Sequence, residues 1–173
     1  MTRVQGVFYR VHDPRHSWSP LSGEGARLHG GRWNPPGMPA LYLGATLDGA
    51  LNEVSHGFEN RIEPSMVVSH DVDCGDIVDL CDGEERERRG IAEADMACAW
   101  GSVMLRGEMP PSWKIAEALV ADGAAGILTP SFANGAKPEH VNLVLWDWAE
   151  DGPHRVTVYD PNDRLPNNDQ SWR

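Results

Sequence analysis

The chain has 173 residues, of which 15 are Lys or Arg and 26 are Asp or Glu, and its formal net charge at pH 7 is −11. A chain of this length is typical of one domain and can bury a sizeable hydrophobic core. So acidic a balance argues against a nucleic-acid-binding protein, because affinity for phosphate backbones depends on clustered Lys and Arg.

The charge is unevenly distributed along the chain. Residues 1–45 carry a net charge of +3, from five arginines and two acidic residues, and the rest of the chain carries −14. A locally basic segment in an acidic protein favours a small anionic ligand. The alternative is that these arginines pair with the acidic remainder.

The cysteines and the apolar runs point to a cytoplasmic protein. Cys74, Cys81 and Cys98 form no CxxC pair and have no companion histidines at zinc-site spacing, so we predict neither disulfides nor a metal site. The N-terminus lacks an apolar signal core, and no run approaches the ~20 residues of a membrane helix. We therefore expect no membrane association.

The first predicted strand covers residues 6–11 and is followed by a long loop. Residues 14–31 are rich in Gly, Ser, Pro and His and exceed a simple connection, so they predict a ligand-binding loop. Its glycines do not form a dinucleotide fingerprint, since Leu28 stands where the third glycine is required.

Residues 30–54 predict two short strands and a helix. The first strand carries Arg32, and Pro35-Pro36-Gly37 follows as a turn, because proline fixes φ and lacks an N–H group while glycine reaches positive φ. The second strand, 41–43, is apolar and has Tyr42 at its centre.

Thr46 is predicted to cap a helix whose apolar residues share the i, i+3, i+4, i+7 spacing of a core-facing stripe. These residues are Leu47, Ala50, Leu51 and Val54. Glu53 falls on the flank of the stripe, where the helix meets the strands. We therefore predict that Arg32, Tyr42 and Glu53 converge on one cleft.

The middle of the chain predicts two strands and then helices. Residues 65–73 and 77–80 are strand-like and are separated at Gly75. The charged run 84–89 predicts a solvated, self-paired helix start, and residues 91–105 have the composition of a buried helix.

Ser112 is predicted to cap a second amphipathic helix that ends at Gly123. Three more strands are predicted, at 125–129, 141–148 and 156–159, and the first of them delivers Ser131 to its end. Together the elements predict a single α+β domain over residues 1–160, with bent, mostly antiparallel sheets and flanking helices. Residues 161–173 are predicted to be a polar C-terminal tail.

Several short motifs along the chain occur in the order of a known family. They are Tyr9-Arg10, Gly31-Arg32-Trp33, Ala40-Leu41-Tyr42-Leu43, Ala50-Leu51-Asn52-Glu53-Val54, Gly126-Ile127-Leu128-Thr129-Pro130-Ser131 and Asn142-Leu143-Val144-Leu145. In this order they resemble the RES domain, which is named for an arginine, a glutamate and a serine and is the toxin of a class of bacterial toxin–antitoxin pairs.

The resemblance implies the fold of diphtheria-type ADP-ribosyltransferases and NAD+ as the substrate. It implies a growth-inhibiting ADP-ribosyltransferase that cleaves the nicotinamide–ribose bond and passes ADP-ribose to a cellular protein, or otherwise to phosphate or water. It also implies a partner, an Xre-like helix-turn-helix antitoxin that occludes the cleft.

The side chains suit that chemistry. A carboxylate is needed beside the positive charge that grows on the ribose, which predicts that role for Glu53. Tyr42 offers an aromatic face to the cationic nicotinamide, and Arg32 offers a forked donor to phosphate. Ser131 is predicted to orient substrate by a hydrogen bond. Further contacts with the ligand are expected from Gly31, His56, Arg10 and Asn142.

Each of these residues also has a structural interpretation. Arg32 would be a salt-bridge partner in a loop, Tyr42 a core residue, Glu53 a solvated helix carboxylate and Ser131 a turn former. A different class of function is a non-catalytic domain that binds a nucleotide or a partner through Trp-rich segments. Its tryptophans would be Trp18, Trp33, Trp113, Trp146 and Trp148.

Overall fold

Two long strands and four short ones form the framework of the protein. A computed structural model describes residues 1–55 and 63–170. Its strands are β1 (Thr2–His12), β2 (Leu41–Gly44), β3 (Met66–Asp79), β4 (Gly126–Pro130), β5 (Val141–Leu145) and β6 (His154–Val158). Its helices are α1 (Glu24–His29), α2 (Leu47–Ser55), α3 (Gly83–Arg89), α4 (Glu93–Met96), α5 (Trp100–Leu105) and α6 (Pro111–Ala121), with a 3₁₀ turn at Pro14–His16.

The strands close into a barrel. Hydrogen-bonded neighbours follow the order β1, β2, β5, β4, β3, and β3 returns to β1, while β6 extends the sheet from β3. The β3–β4 pair is parallel, and the other pairs of named strands are antiparallel. This confirms the predicted α+β class with bent, mostly antiparallel strands.

The barrel is closed unevenly between its two edge strands. β1 meets β3 from Thr2 opposite Ile77 to His12 opposite Met66, whereas β1 meets β2 only at Tyr9 opposite Gly44. Beyond that single pair the two strands separate, which leaves an opening beside the end of β1.

β3 is one bent strand, and the predicted break at Gly75 is wrong. The register with β1 shifts between Thr2 and Val4, and Asp76 adopts a positive φ of 54° in the same region. Gly75 donates its N–H to the Pro153 carbonyl at 2.9 Å. A bulge of this kind bends a strand and lets it continue.

Both faces of the central strands are buried. On β5, Leu143, Val144 and Leu145 are all fully buried. Leu143 and Leu145 belong to one apolar cluster with Phe8 of β1, and Val144 belongs to a second cluster with the helices. This double burial explains why the strand sequences are continuously apolar and do not alternate.

The region from residue 91 to 105 contains two short helices, α4 and α5, so the predicted single buried helix is wrong. Only Met96 is buried in them, and Leu105 is 84% exposed. Between the helices, the carbonyls of Met96 and Cys98 accept hydrogen bonds from Arg32. These tertiary bonds replace a continuous helical ladder.

Two predicted helix starts have different outcomes. The Thr46 cap of α2 is confirmed, since its hydroxyl accepts the Gly49 N–H at 3.2 Å. Ser112 is not a cap, because α6 begins at Pro111 and buries Ser112 in its first turn. The predicted α2 stripe is only partly buried: Ala50 is 5% exposed, but Leu47 is 45% exposed.

Gly126→Ala should destabilise the protein, because the added Cβ would overlap the Val144 carbonyl oxygen on the neighbouring strand. We expect a loss of about 1–3 kcal/mol in the free energy of unfolding, measured by urea denaturation. Gly101→Ala is the matched control, since nothing lies within 4 Å of that Cβ, and within a helix it should stabilise by about 0.5–1 kcal/mol. Equal stabilities of the two variants would contradict this packing.

Candidate functional site

A cleft of about 640 Å³ opens at one end of the barrel. It is lined by Arg32 and by Tyr42 and Glu53, so the three groups that were expected to converge do line one cleft. Arg10, Gly31 and Asn142 line it as well. We call this cavity the main cleft.

Arg32 lies in a tight turn, and the predicted strand around it is wrong. Gly31 and Asn34 form an isolated β-bridge, with the Gly31 N–H donating to the Asn34 carbonyl at 2.9 Å. The buried Asn34 side chain donates to the carbonyls of Ala26 and Met38 at 2.8 and 2.9 Å. The turn is therefore fixed by side-chain bonds within the segment 26–38.

Tyr42 locks the same turn. Its hydroxyl donates to Asn34 Oδ1 at 2.7 Å and accepts the Trp33 N–H at 3.0 Å. A Cβ at Gly31 would lie 2.5 Å from the Tyr42 oxygen, so only glycine fits there. Burial raises the pKa of Tyr42. The hydroxyl stays protonated and is already engaged by Asn34 and Trp33. Tyr42 therefore contributes its ring to the cleft and does not exchange a proton with a ligand there.

Arg32 is held by backbone carbonyls and an aromatic ring. Its Nη1 donates to the Met96 and Cys98 carbonyls at 2.8 and 2.7 Å, and its guanidinium carbon lies 4.9 Å from the centroid of the Phe132 ring. Burial lowers the pKa of Arg32, yet an arginine remains charged in proteins. No carboxylate among the described residues forms a salt bridge with it.

Arg10 is oriented in the same way. Its Nη1 donates to the Pro20 and Ser22 carbonyls at 2.6 and 3.0 Å, and burial lowers its pKa to about 10. It too has no salt bridge to a carboxylate within residues 1–55 and 63–170. Of the described residues that line the main cleft, Glu53 is the one acid against two guanidinium groups, so the cleft suits an anion in an otherwise acidic protein.

Glu53 is fixed by two donors that reach one oxygen. The Ser131 hydroxyl and the Asn142 amide nitrogen each donate to Glu53 Oε1 at 2.6 Å. Ser131 follows β4, Asn142 lies on β5 and Glu53 lies on α2. Among the described residues, none donates a hydrogen bond to Oε2.

Ser131 differs in position from the other predicted residues. It is not among the residues that line the main cleft, and its hydroxyl donates to Glu53 and accepts the Ala133 N–H at 3.2 Å. Its bond therefore orients the carboxylate. His56 lies outside the described residues.

A smaller cavity of about 290 Å³ lies on the other side of Glu53, and we call it the small chamber. It occupies the opening where β1 and β2 separate. Arg10, Tyr42, Glu53 and Asn142 line both cavities, so these side chains form the wall that the two share.

Sequence reasoning missed several residues of the main cleft. Trp100, Phe132 and Asn134 line it, and Phe132 stacks on Arg32. The aromatic residue directly after Ser131 was the available signal for Phe132. Trp100 had no local signal, because only the tertiary fold brings α5 to the cleft.

Three of the five tryptophans that the sequence suggested for a partner-binding surface are buried. Trp33, Trp113 and Trp146 are at most 8% exposed. Two of them bond to the turn that carries Arg32. The indole N–H of Trp113 donates to the Gly31 carbonyl at 2.7 Å, and that of Trp146 donates to the Trp33 carbonyl at 2.9 Å. Trp148 is half-buried, and its indole N–H donates to the Leu21 carbonyl at 3.0 Å, so Trp18, at 43% exposed, is the one exposed member of the five.

Comparison with known sequence families matches residues 7–168 to the RES domain. This chain belongs to the RES domain family. Among its relatives are the NAD(+) phosphorylases MbcT of Mycobacterium bovis and Mycobacterium tuberculosis, each 30% identical over 135 residues, which are 71% of this chain and 72% of the relative. The toxin Res of Photorhabdus laumondii is 40% identical over 48 residues, 28% of this chain and 31% of that protein.

The fold of this RES domain is also found in a solved structure. The crystal structure of the M. tuberculosis MbcT–MbcA toxin–antitoxin complex contains a chain that superposes with a TM-score of 0.64 at 24% identity. The match covers 92% of this chain and 84% of the other. It confirms the barrel with its flanking helices as the RES fold.

The described residues were compared with the requirements of a membrane-spanning helix and of a metal site. None of the helices in residues 1–55 and 63–170 has the length and apolar character needed to cross a membrane. Within the same residues, no group of three or more His, Cys, Asp or Glu is arranged to hold a metal ion.

Tyr42→Phe should destabilise the turn that carries Arg32, because it leaves the buried Trp33 N–H without its acceptor. We expect a loss of about 1–3 kcal/mol in the free energy of unfolding, measured by urea denaturation. Tyr159→Phe is the control, since Tyr159 is 65% exposed, and it should change stability by less than about 0.5 kcal/mol. If both variants were as stable as the parent, the Tyr42 hydroxyl would not hold the turn.

Proposed function

We propose that this RES domain is the toxin of a toxin–antitoxin pair and that it cleaves the nicotinamide–ribose bond of NAD+, passing ADP-ribose to an acceptor. The observation that carries the proposal is the Glu53 carboxylate, which is fixed at Oε1 and shares one cleft with two guanidinium groups that form no salt bridge among the described residues. The relatives that act as NAD(+) phosphorylases and align over 71% of the chain support it.

Glu53 stabilises the reacting sugar. When the bond to nicotinamide breaks, positive charge grows on the ribose ring, and a fixed negative charge nearby lowers the energy of that state. The bonds from Ser131 and Asn142 hold the carboxylate before substrate arrives, so no reorganisation is required during the reaction. Glu53 Oε2 then faces the ribose and accepts a hydrogen bond from one of its hydroxyls.

Arg32 binds the pyrophosphate, and Arg10 adds a second positive charge in the wall that the two cavities share. Each has one nitrogen committed to backbone carbonyls, which orients the guanidinium plane and leaves its remaining N–H groups for the ligand. A guanidinium meets phosphate oxygens in pairs, and its charge counts for more where water is excluded. Because neither arginine forms a salt bridge with a carboxylate of the described residues, no such bridge must be broken when the anion binds.

Aromatic rings receive the nicotinamide. The pyridinium ring is flat and cationic before cleavage and neutral afterwards, so the π-face of Tyr42 attracts it most strongly in the reactant. Trp100 adds a second aromatic surface to the main cleft. Because the Tyr42 hydroxyl is already bonded to Asn34 and Trp33, this residue acts through its ring.

The acceptor that we favour is inorganic phosphate. A cellular protein was the first expectation from sequence, but the phosphorylase relatives support phosphate instead. The reaction class is then transfer of ADP-ribose to phosphate, and transfer to a protein or to water is the competing result. Labelled NAD+ added to a cell lysate separates these results, because transfer to protein labels a discrete band.

The partner is an antitoxin. Support comes from the solved toxin–antitoxin complex that shares this fold. We propose that the partner of this chain is an Xre-like helix-turn-helix protein that covers the main cleft and so keeps NAD+ out until it is removed.

Glu53→Gln should abolish NAD+ cleavage and leave the protein folded. The amide keeps an oxygen for Ser131 and Asn142 but carries no charge, so we expect the rate of nicotinamide release to fall on the order of 100-fold or more. Glu117→Gln is the matched control, because Glu117 is exposed on α6, and it should release nicotinamide at the parent rate. Equal release by the Glu53 variant would overturn the catalytic role, and no release by the parent chain would overturn the proposed activity.

Expression of the intact chain in bacteria without its antitoxin should stop growth, because NAD+ is consumed. Cells that express the Glu53→Gln chain to the same level should grow, and their NAD+ content should stay at that of uninduced cells. Growth curves with NAD+ assays at matched protein levels check this. Equal growth of the two strains would contradict a toxin that acts through NAD+.

A further inference from the structure

The main cleft and the small chamber meet at the proposed reaction centre. Glu53, Tyr42 and Asn142 line both cavities, and so does Arg10. If the nicotinamide riboside occupies the main cleft with its ribose against Glu53, the small chamber lies across the shared wall from it. A reactant in the small chamber then lies beside the ribose, because the two cavities share this wall.

The polar groups of the small chamber are suited to an anion. Arg10 brings a guanidinium that forms no salt bridge with a described carboxylate, and among the described residues of the lining the one acid is Glu53 of the shared wall. His12 also lines the chamber, and its buried Nε2 makes no hydrogen bond with any described residue. His70, His140 and His154 also have buried ring nitrogens without a hydrogen bond among the described residues, but of these four histidines His12 is the one that lines the small chamber.

His12 is neutral when it meets that ligand. Burial, followed by the positive charge of Arg10, lowers the pKa of His12 to about 4, so at pH 7 its ring has one N–H donor and one acceptor nitrogen. Arg10 and His12 lie two residues apart on β1 and therefore project from the same face of the strand. Together they offer a charged donor and a neutral donor to one small group.

We infer that the small chamber is the acceptor site of this RES domain and that it binds a small tetrahedral oxyanion, inorganic phosphate, between Arg10 and His12. This inference rests on the proposed function and assigns a separate site to its second substrate. A volume of about 290 Å³ suits such an ion. Neither a protein surface nor an uncharged water would require the guanidinium.

The step balances as a displacement at the ribose. An oxygen of HPO₄²⁻ forms the new bond to C1 of the ribose as the bond from C1 to the pyridinium nitrogen breaks. The electron pair of the broken bond stays on that nitrogen, so nicotinamide leaves as a neutral molecule. The product is ADP-ribose 1-phosphate, whose remaining phosphate proton passes to water.

The test compares phosphate dependence in three full-length variants. His12→Leu removes the ring nitrogens, His12→Asn restores a polar side chain, and His16→Leu is the control because His16 is exposed in the 3₁₀ turn. Nicotinamide release is measured while phosphate is varied at saturating NAD+, and again while NAD+ is varied at fixed phosphate. Binding of inorganic phosphate to each protein without NAD+ is followed by calorimetry.

We expect His12→Leu to raise the KM for phosphate about tenfold or more, with a much smaller change in the KM for NAD+, and His12→Asn to recover part of the loss. His16→Leu should match the parent. If nicotinamide release is independent of phosphate, or if the KM for phosphate is the same in parent and His12→Leu, the inference is wrong. Phosphate binding that depends on His12 in a chain that releases no nicotinamide would keep the site and refute the proposed function.

Discussion

One carboxylate oxygen, Oε1 of Glu53, connects the three elements of the fold that form the candidate site. Glu53 Oε1 accepts hydrogen bonds from Ser131 and Asn142, both at 2.6 Å. These bonds tie helix α2 to the end of β4 and to β5, which are paired with each other. A carboxylate held by two donors is oriented before any ligand binds, and hydrogen bonds to a charged acceptor are stronger than neutral ones.

Hydrogen bonds within the protein also orient the two arginines of the site before any ligand binds. Arg10 and Arg32 are oriented by backbone carbonyls, which position a cation without neutralising it. A carboxylate partner would have fixed them equally well but would compete with an anionic substrate. The chain has a net charge of −11, yet neither of these two half-buried guanidinium groups forms a salt bridge with an acidic side chain of the described residues.

The barrel explains why these groups lie at one end. Because β1 touches β2 only at Tyr9 and Gly44, the strands open beyond that pair and leave room for a cavity on each side of Glu53. The central strand β5 is buried on both faces, because Leu143 and Leu145 pack in one apolar cluster and Val144 in the other. The rigid part of the fold thus supports an open end, an arrangement that suits a binding site.

The sequence by itself determined the α+β class, the Pro35-Pro36-Gly37 turn and the Thr46 cap. It also predicted that Arg32, Tyr42 and Glu53 line one cleft. Turn residues, capping residues and ordered short motifs are local signals, so the sequence shows them directly. Only the tertiary structure decided that Arg32 lies in a turn that Tyr42 locks, that residues 91–105 form two helices, and that Ser131 bonds to Glu53. Each of these depends on a partner that is distant in the chain: Arg32 bonds to carbonyls 64 and 66 residues away, and Ser131 to a carboxylate 78 residues away. The helix, strand and turn conformations of a short segment differ by less free energy than one buried hydrogen bond to a charged group contributes. A single bond to a distant residue can therefore decide the conformation, and the local sequence pattern does not show that bond.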